Sequence, residues 1–281
     1  MCFIIISIRG YGYMPKNGRD GAMPLFFVLV LFTLSMLFPL LPLHDPDKID
    51  LDSLSKSPCI EHPFGTDSKG RDILARVIYG GKISIGVAAA AAFISAAIGF
   101  TVGLAAGYFG GTFDTAVTAI VDFVLSFPSL LLAIAITVVL PPGIYTVMVA
   151  LSAVGWTSFA RLIRGRIITL KEMAFVDAAR AVGCSDMRIL FLHLAPLCIP
   201  LALVLTGIKL GGFLLTEATL SFLGLGAQPP TATWGSMISA SRTYILNAPW
   251  MVWFPGIVLT LTAFCFNLIG ESLKKRYSIS L

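Results

Sequence analysis

The sequence predicts an all-α, polytopic membrane protein with six transmembrane helices. Of its 281 residues, 57% are hydrophobic and only 12% are charged, whereas a soluble domain carries about 25% charged residues. The mean hydropathy of +0.88 agrees with this composition. The apolar residues gather into six runs, each close to the length of about 20 residues that a helix needs to cross the hydrocarbon core. Little of the chain is left for a soluble domain.

The six runs follow one another with polar connections of different lengths. A tail at 1–23 comes first, and its short apolar run cannot span. The first span, 24–43, is expected to be an uncleaved anchor because no small-residue cleavage site follows it. The other predicted spans are 83–108, 116–140, 145–163, 197–222 and 250–268.

Proline and glycine mark the irregular places. Phe127-Pro128 predicts a kink inside the third span, because proline interrupts the helical hydrogen bonds. The stretch 223–249, between the last two spans, is rich in Gly, Pro and Trp and has the pattern of a re-entrant segment.

The distribution of Lys and Arg predicts the orientation. Six spans place both termini on one side, together with the turn at 109–112 and the loop at 164–196. Counting Arg161, that side holds twelve Lys and Arg, against seven on the other side. Since cytoplasmic loops carry the excess of basic residues, both termini are predicted to be cytoplasmic, and segment 44–82 extracytoplasmic. The same rule explains the net charge of +5 without nucleic acid.

The stretch 171–196 is the longest charged island between the later hydrophobic runs. Asp177 and Arg180 are expected on one helical face and the apolar residues on another. Those apolar residues are Phe175, Val176, Ala178, Ala179 and Val182. Gly183 is predicted to end this helix, and Ser185 to cap a second short helix. Two short helices joined at a glycine would form a rigid knob outside the membrane.

This pattern resembles the EAA coupling loop of ABC-importer permeases, in which Glu-Ala-Ala is followed four residues later by glycine. Here the triplet is Asp177-Ala178-Ala179 and the glycine is Gly183, so an aspartate replaces the usual glutamate. In that family the loop docks into a groove on a separate ATPase subunit. The resemblance implies that these residues, with Arg180, couple the chain to an ATPase. An ordinary amphipathic cytoplasmic loop is the alternative.

Further motifs extend the resemblance over about residues 24–276, to the dipeptide, oligopeptide and nickel permeases. They fall in the family's order and are His62 through Asp72 to Tyr79-Gly80, Leu220 to Gly226, Gln228-Pro229-Pro230, Trp234-Gly235 and Phe266 to Gly270. The resemblance implies the transmembrane domain of a type I ABC importer. Its permease core would be 83–272, with the coupling loop 171–196, and a cytoplasmic tail would follow at 273–281.

The resemblance also implies partners: a homologous second permease, two cytoplasmic ATPases and an extracytoplasmic solute-binding protein, in addition to membrane lipid. The implied function is the import of dipeptides or oligopeptides across the cytoplasmic membrane, with nickel or another small solute as the alternative. The sequence has no Walker motif, so ATP hydrolysis is assigned to the partners. Neither a catalytic residue nor a cofactor is expected.

A stand-alone proton-coupled transporter or channel is the alternative from another class. It would need internal repeats and a relay of carboxylates within the membrane. Only Asp122 and Glu217 are candidates for such a relay, and no repeat is visible.

The segment from Gly65 to Asp72 has the Gly-x4-Gly spacing of a phosphate-binding loop. The next two residues of such a loop should be Lys and Ser or Thr, but here they are Arg71 and Asp72. Because an aspartate there would repel phosphate, the segment is expected to be structural.

Ionisable residues within spans usually face a bundle interior or a water-filled cavity. Lys209 and Glu217 lie in the fifth span, eight residues apart, too far for a direct pair on one helix. Each is interpreted as lining the pathway or a subunit interface. The alternatives are snorkelling of Lys209 and a Glu217 at the outer rim. Asp122 is expected to pair with a neighbouring helix or a partner subunit.

The histidines His44, His62 and His193 are separated in sequence, and no His-x-x-x-His or Cys/His pair is present. We therefore expect no metal site built by this chain alone.

Overall fold

The computed structural model describes residues 22–37 and 44–277, and this part of the chain is almost entirely helical. No strand is found in these two ranges, where the extended structure amounts to an isolated bridge between Thr66 and Asp72. The α-helices are α1 (Ala22–Met36), α2 (Ile73–Phe109), α3 (Gly111–Leu125), α4 (Ser129–Val139), α5 (Ile144–Lys171), α6 (Ala174–Ala181), α7 (Asp186–Arg188), α8 (Ala195–Phe222), α9 (Trp234–Ser241) and α10 (Trp250–Arg276).

Among the described residues, four helices are long and apolar enough to cross a membrane. They are α2, α5, α10 and the continuous helix Asp186–Phe222, in which a π-helical turn joins α7 to α8. The pair α3 and α4 makes a fifth candidate if it is counted as one span. The apolar helix α1 is shorter, and the end of the predicted first span, 38–43, lies outside the described residues.

The second span differs from its prediction at the start. Helix α2 begins at Ile73, ten residues before the predicted 83, so the predicted segment 44–82 includes its first turns. Asp72 is the N-cap residue, and its Oδ1 accepts a hydrogen bond of 2.7 Å from the Ala75 backbone N–H. The guanidinium of Arg76, whose charge argues against a span, is buried against the Pro46 carbonyl oxygen at 2.7 Å.

The predicted kink at Phe127-Pro128 is confirmed, but the bend is much larger than a kink in one helix. Helix α3 ends at Leu125, α4 begins at Ser129, and the two are bent by 90°. Pro128 occupies the N-cap position of α4, where its missing backbone N–H costs no helical hydrogen bond.

Helices α2 and α5 pack closely because glycine recurs every fourth residue along α2, at Gly99, Gly103 and Gly107. A Cβ atom added at Gly103 would lie 2.6 Å from the Ala160 carbonyl oxygen on α5. One added at Gly99 would lie 2.4 Å from the Cβ of Phe159. Small residues at this spacing let helix backbones approach in membranes, where van der Waals packing holds helices together.

The loop with the phosphate-loop spacing, 65–72, is organised around the carboxylate of Asp67. Its Oδ1 accepts hydrogen bonds from the backbone N–H groups of Lys69 and Arg71, and its Oδ2 accepts from the Arg71 guanidinium. At Gly70, φ is +75°, and an added Cβ would lie 1.7 Å from the Asp50 carbonyl oxygen. The backbone donors that a phosphate would need are therefore bound to an aspartate.

Candidate coupling surface and central cavity

Helix α6 packs against the bundle through its apolar face and is exposed on its other face. Val176 is fully buried, while Asp177, Ala178 and Arg180 are exposed. Val176 belongs to an apolar cluster, here called the anchor cluster, that joins α6 to the ends of three long helices. Its other buried members are Leu104, Tyr108, Ile163, Ile167, Leu170, Ile189, Leu190, Leu194, Ala195, Cys198 and Leu201. The anchor cluster holds α6 as a knob at the end of the bundle.

The end of α6 confirms the predicted role of Gly183 as a helix terminator. Gly183 has a φ of +85°, and its N–H donates to the Arg180 carbonyl oxygen at 2.9 Å. The next N–H, of Cys184, donates to the Ala179 carbonyl oxygen at 3.0 Å. These two bonds are the pair of a Schellman motif, which satisfies the last carbonyl groups of a helix and turns the chain.

The second helix of the knob differs from its prediction. It is not a separate short helix, because α7 continues through the π-helical turn into α8. Ser185 stands at the N-cap position, but its side chain makes no capping hydrogen bond. Asp186 instead accepts a hydrogen bond of 2.6 Å from the Tyr108 hydroxyl on α2.

A second contact ties the start of the knob to the same end of α2. The Lys171 ammonium, at the end of α5, donates to the Gly107 carbonyl oxygen at 3.1 Å. The knob is therefore fastened to α2 on both sides of α6, which makes it stiff relative to the bundle.

Charged and apolar side chains share the outer surface of the knob. Asp177 and Arg180 form an ion pair of 3.5 Å, with side chains 73% and 49% exposed. The apolar side chains of Val182 and Met187 are also exposed, Val182 by 85%. The periodicity of the sequence predicts Val182 on the apolar face of the helix. It is exposed because the chain has already begun to turn at the helix end.

Two ion pairs join α3 to α5. Asp122 accepts a hydrogen bond from Arg161 of the same chain, and both side chains are more than half exposed. Asp114 and Arg164 form a two-point pair, in which the Arg164 Nη2 donates to the Asp114 Oδ2 at 2.7 Å. The neighbouring-helix partner expected for Asp122 is thus present within the chain.

Lys209 lines a cavity of about 260 Å³ between four helices. The walls come from the bend between α3 and α4 and from the middle of α5 and α8. The half-buried Lys209 donates a hydrogen bond of 3.0 Å from Nζ to the Ser158 hydroxyl. No acidic residue pairs with Lys209 among the described residues. An ammonium group without a carboxylate partner can bind an anionic group that enters the cavity.

Glu217, the other ionisable residue of this span, is 2% exposed and does not line the cavity. Its Oε1 accepts a hydrogen bond of 2.7 Å from Ser221, one helical turn further along. Within the described part of the chain, its Oε2 has no hydrogen-bond partner. The structure thus separates the two residues that sequence reasoning treated alike.

The family model described as binding-protein-dependent transport system inner membrane component matches residues 99–279. The chain is also 40% identical over 249 residues to proteins named glutathione transport system permease protein GsiD. Two of these are from Escherichia coli O6:K15:H31 (strain 536 / UPEC) and Shigella boydii serotype 4 (strain Sb227). Each match covers 88% of this chain and 82% of the relative.

Among solved structures, the chain resembles a chain from the inward-facing conformations of the MetNI methionine ABC transporter. The CY5 SeMet soak form gives a TM-score of 0.57 at 20% identity, over 74% of this chain and 98% of that chain. The CY5 native form gives a TM-score of 0.53. This likeness confirms the predicted all-α fold of a type I ABC importer transmembrane domain.

Proposed function

The chain belongs to the family of binding-protein-dependent transport system inner membrane components, as a permease subunit of an ABC importer, and we propose that it forms one side of an import path for small peptides. Permeases of this kind are not themselves catalytic. In this proposal, two ATPase subunits hydrolyse ATP, a homologous second permease completes the path, and an extracytoplasmic protein delivers the solute. The chain is a multi-pass protein of the cell membrane.

The proposed orientation has both termini and the knob in the cytoplasm. Supporting it, Gly270 near the end of α10 packs against Gly207, in the half of α8 nearer the knob. The basic residues that end α10, Lys274 to Arg276, therefore lie toward the same end of the bundle as the knob. An excess of Lys and Arg at one end is typical of the cytoplasmic side.

The observation that carries the proposed solute class is the position of Lys209 in the central cavity. Peptides carry a carboxylate, which the Lys209 ammonium would bind at the middle of the bundle, beside the Ser158 hydroxyl. The relatives at 40% identity are named for glutathione, a small peptide with free carboxylates. The positive charge at this depth disfavours nickel, the alternative solute, because a cation there would be repelled.

Replacing Lys209 by methionine is expected to lower the uptake of labelled glutathione or a dipeptide by about tenfold or more. A hydrogen bond to a charged group contributes about 1.5–3 kcal/mol, and about 1.4 kcal/mol corresponds to a factor of ten. K209R should keep most of the uptake, since it keeps the charge. The measurement is initial uptake by cells that carry the chain with its partner subunits, normalised to its abundance in the membrane.

The matched control is K275M, which removes a lysine from the exposed end of α10 and should transport at the wild-type rate. Wild-type uptake by K209M would place the path elsewhere. The proposed solute class would be rejected in favour of nickel if K209M took up more Ni²⁺ than wild type and neither protein transported peptide.

We further assign coupling to the knob at Asp177, Ala178, Ala179, Arg180 and Gly183, of which all but the partly buried Ala179 are exposed. The knob is stiff, because the Schellman turn and two contacts with α2 hold it. It also presents both charged and apolar side chains to the outside. These properties suit a surface that docks on an ATPase and passes its movement to the bundle.

A further inference from the structure

Three side chains that are far apart in sequence meet beside the extracytoplasmic start of α2. They are His44, which follows the first apolar run, His62 and Asp72. One nitrogen or oxygen atom from each lies within 4.8 Å of the other two. The His44 and His62 ring centroids are 4.9 Å apart. The sequence separation of the histidines predicts no metal-binding cluster, whereas the folded loop brings two of them, His44 and His62, side by side.

The carboxylate of Asp72 is the centre of this group, and its two oxygens have separate functions. Oδ1 accepts the hydrogen bond that caps α2. Oδ2 lies 2.8 Å from the Nδ1 of His62 and 3.9 Å from the Nδ1 of His44. The side chains of His62 and Asp72 are 8% and 3% exposed, whereas that of His44 is 53% exposed. The group therefore has two buried members and one exposed member.

The capping role of Asp72 does not explain why His44 lies beside Asp72 and His62. One hydrogen bond from His62 would satisfy Oδ2, and the helix cap needs only Oδ1. His44 lies too far from Oδ2 for a hydrogen bond, yet its Nδ1 is 3.9 Å from that oxygen and its ring lies next to the other imidazole. Two imidazoles and one carboxylate around one point are the ligand set typical of Zn²⁺ and related metal ions.

We propose that His44, His62 and Asp72 bind one divalent transition-metal ion of the Zn²⁺ class. Bonds of about 2.0–2.1 Å to nitrogen and oxygen require ligand atoms about 3.4 Å apart in a tetrahedral site. The exposed His44 ring has to move inward by about 1 Å to reach this spacing, and water fills the fourth position. His62 binds through Nδ1, which lies 2.8 Å from Oδ2 of Asp72 in a hydrogen bond that the ion replaces. These two atoms have to part by about 0.6 Å to reach the tetrahedral spacing.

The surrounding charges do not oppose a cation. The nearest buried guanidinium, that of Arg76, is turned toward Asp47 at 2.9 Å and toward the Pro46 carbonyl oxygen. The charge of Arg76 is thus balanced by a carboxylate outside the site. The bound ion would link the beginning of the extracytoplasmic segment, at His44, to the start of α2 at Asp72.

The test is isothermal titration calorimetry, in which ZnCl₂ is added to the purified full chain in detergent. The chain carries a purification tag without histidine and is first treated with a chelator to remove bound metal. The wild-type chain should bind one Zn²⁺ per chain, and H44A should bind at least about tenfold more weakly. H44A is the informative variant because His44 is exposed and takes no part in capping α2. MgCl₂ should give no binding, because Mg²⁺ prefers oxygen ligands.

The matched control is C59S, which removes an exposed thiol from the same segment and should leave Zn²⁺ binding unchanged. An X-ray absorption spectrum of the bound Zn²⁺ should show nitrogen and oxygen ligands without sulfur. The proposal is overturned if the wild-type chain binds no stoichiometric Zn²⁺, if H44A binds as tightly as wild type, or if sulfur appears among the ligands. None of these results depends on transport.

Discussion

Replacement of Gly183 by valine is expected to abolish transport while the chain still inserts and folds. The φ of +85° at Gly183 lies in the left-handed region, where a side chain with a Cβ costs about 1–2 kcal/mol, and a β-branched one fits worst. An added Cβ would meet no atom within 4 Å, so the effect comes from the backbone and not from packing. Valine would break the Schellman turn and redirect α6 relative to α7.

The measurements for this prediction are uptake of the solute and co-purification of the ATPase with the permease. G183N should retain most function, because asparagine tolerates the left-handed conformation, and G183A should fall between the two. G165A is the matched control, since Gly165 is also exposed with open space around it but lies inside α5 with an ordinary helical φ. Normal uptake by G183V would remove the coupling role from the knob.

Charge on the knob should matter less than its shape. Asp177 is 73% exposed and already has Arg180 at 3.5 Å, and exposed ion pairs contribute little. We expect D177N to reduce ATPase co-purification slightly, whereas D177K should disrupt it by placing two like charges side by side. A larger loss with D177N than with G183V would show that charge, and not the stiffness of the turn, governs docking.

Replacement of Gly103 by leucine is expected to remove nearly all folded protein. The added Cβ would lie 2.6 Å from the Ala160 carbonyl oxygen and 3.1 Å from the Cβ of Ile163. Backbone atoms cannot rotate away, so α2 and α5 would have to separate along the largest helix contact of the bundle. Overpacking of a well-packed site costs about 1–3 kcal/mol, occasionally more, and loss of the close α2–α5 contact adds to this cost.

The measurement is membrane abundance together with the thermal unfolding temperature of the purified chain in detergent. G86L is a sharp control, because Gly86 lies on the same helix but an added Cβ would meet no atom within 4 Å. It should unfold close to the wild-type temperature. Equal stability of G103L and G86L would mean that glycine spacing does not set the distance between α2 and α5.

Sequence reasoning identified the spans well where a long apolar run had clear ends, as in the fifth and sixth. It missed the start of α2 because Arg76 is charged. That charge becomes compatible with a buried helix turn only when Asp47 and the Pro46 carbonyl oxygen fold back onto it. The spacing of the glycines at 99, 103 and 107 predicts a close helix contact on that face of α2, but only the structure identifies α5 as the partner.

The site was predictable to a different degree in each part. The helix end at Gly183 was predictable from sequence, because few residues other than glycine adopt the left-handed backbone conformation found there. Lys209 and Glu217 looked equivalent in sequence, since nothing local shows that one meets the Ser158 hydroxyl at a cavity and the other is buried. The meeting of His44 with Asp72 depends on the path of the whole loop between them, which no periodicity records.

In the proposed function, the helix that runs from Asp186 through the π-helical turn to Phe222 would act as a lever. Asp186 stands in the knob and Lys209 in the cavity, about 34 Å apart along the axis at 1.5 Å per residue. Pivoting this rod by about 5° around one end would carry the other sideways by about 3 Å. That distance decides whether the ammonium group reaches a carboxylate at hydrogen-bond length or leaves it free. Binding and release of the solute would then need only a small tilt of this one helix, without the unwinding of any helix.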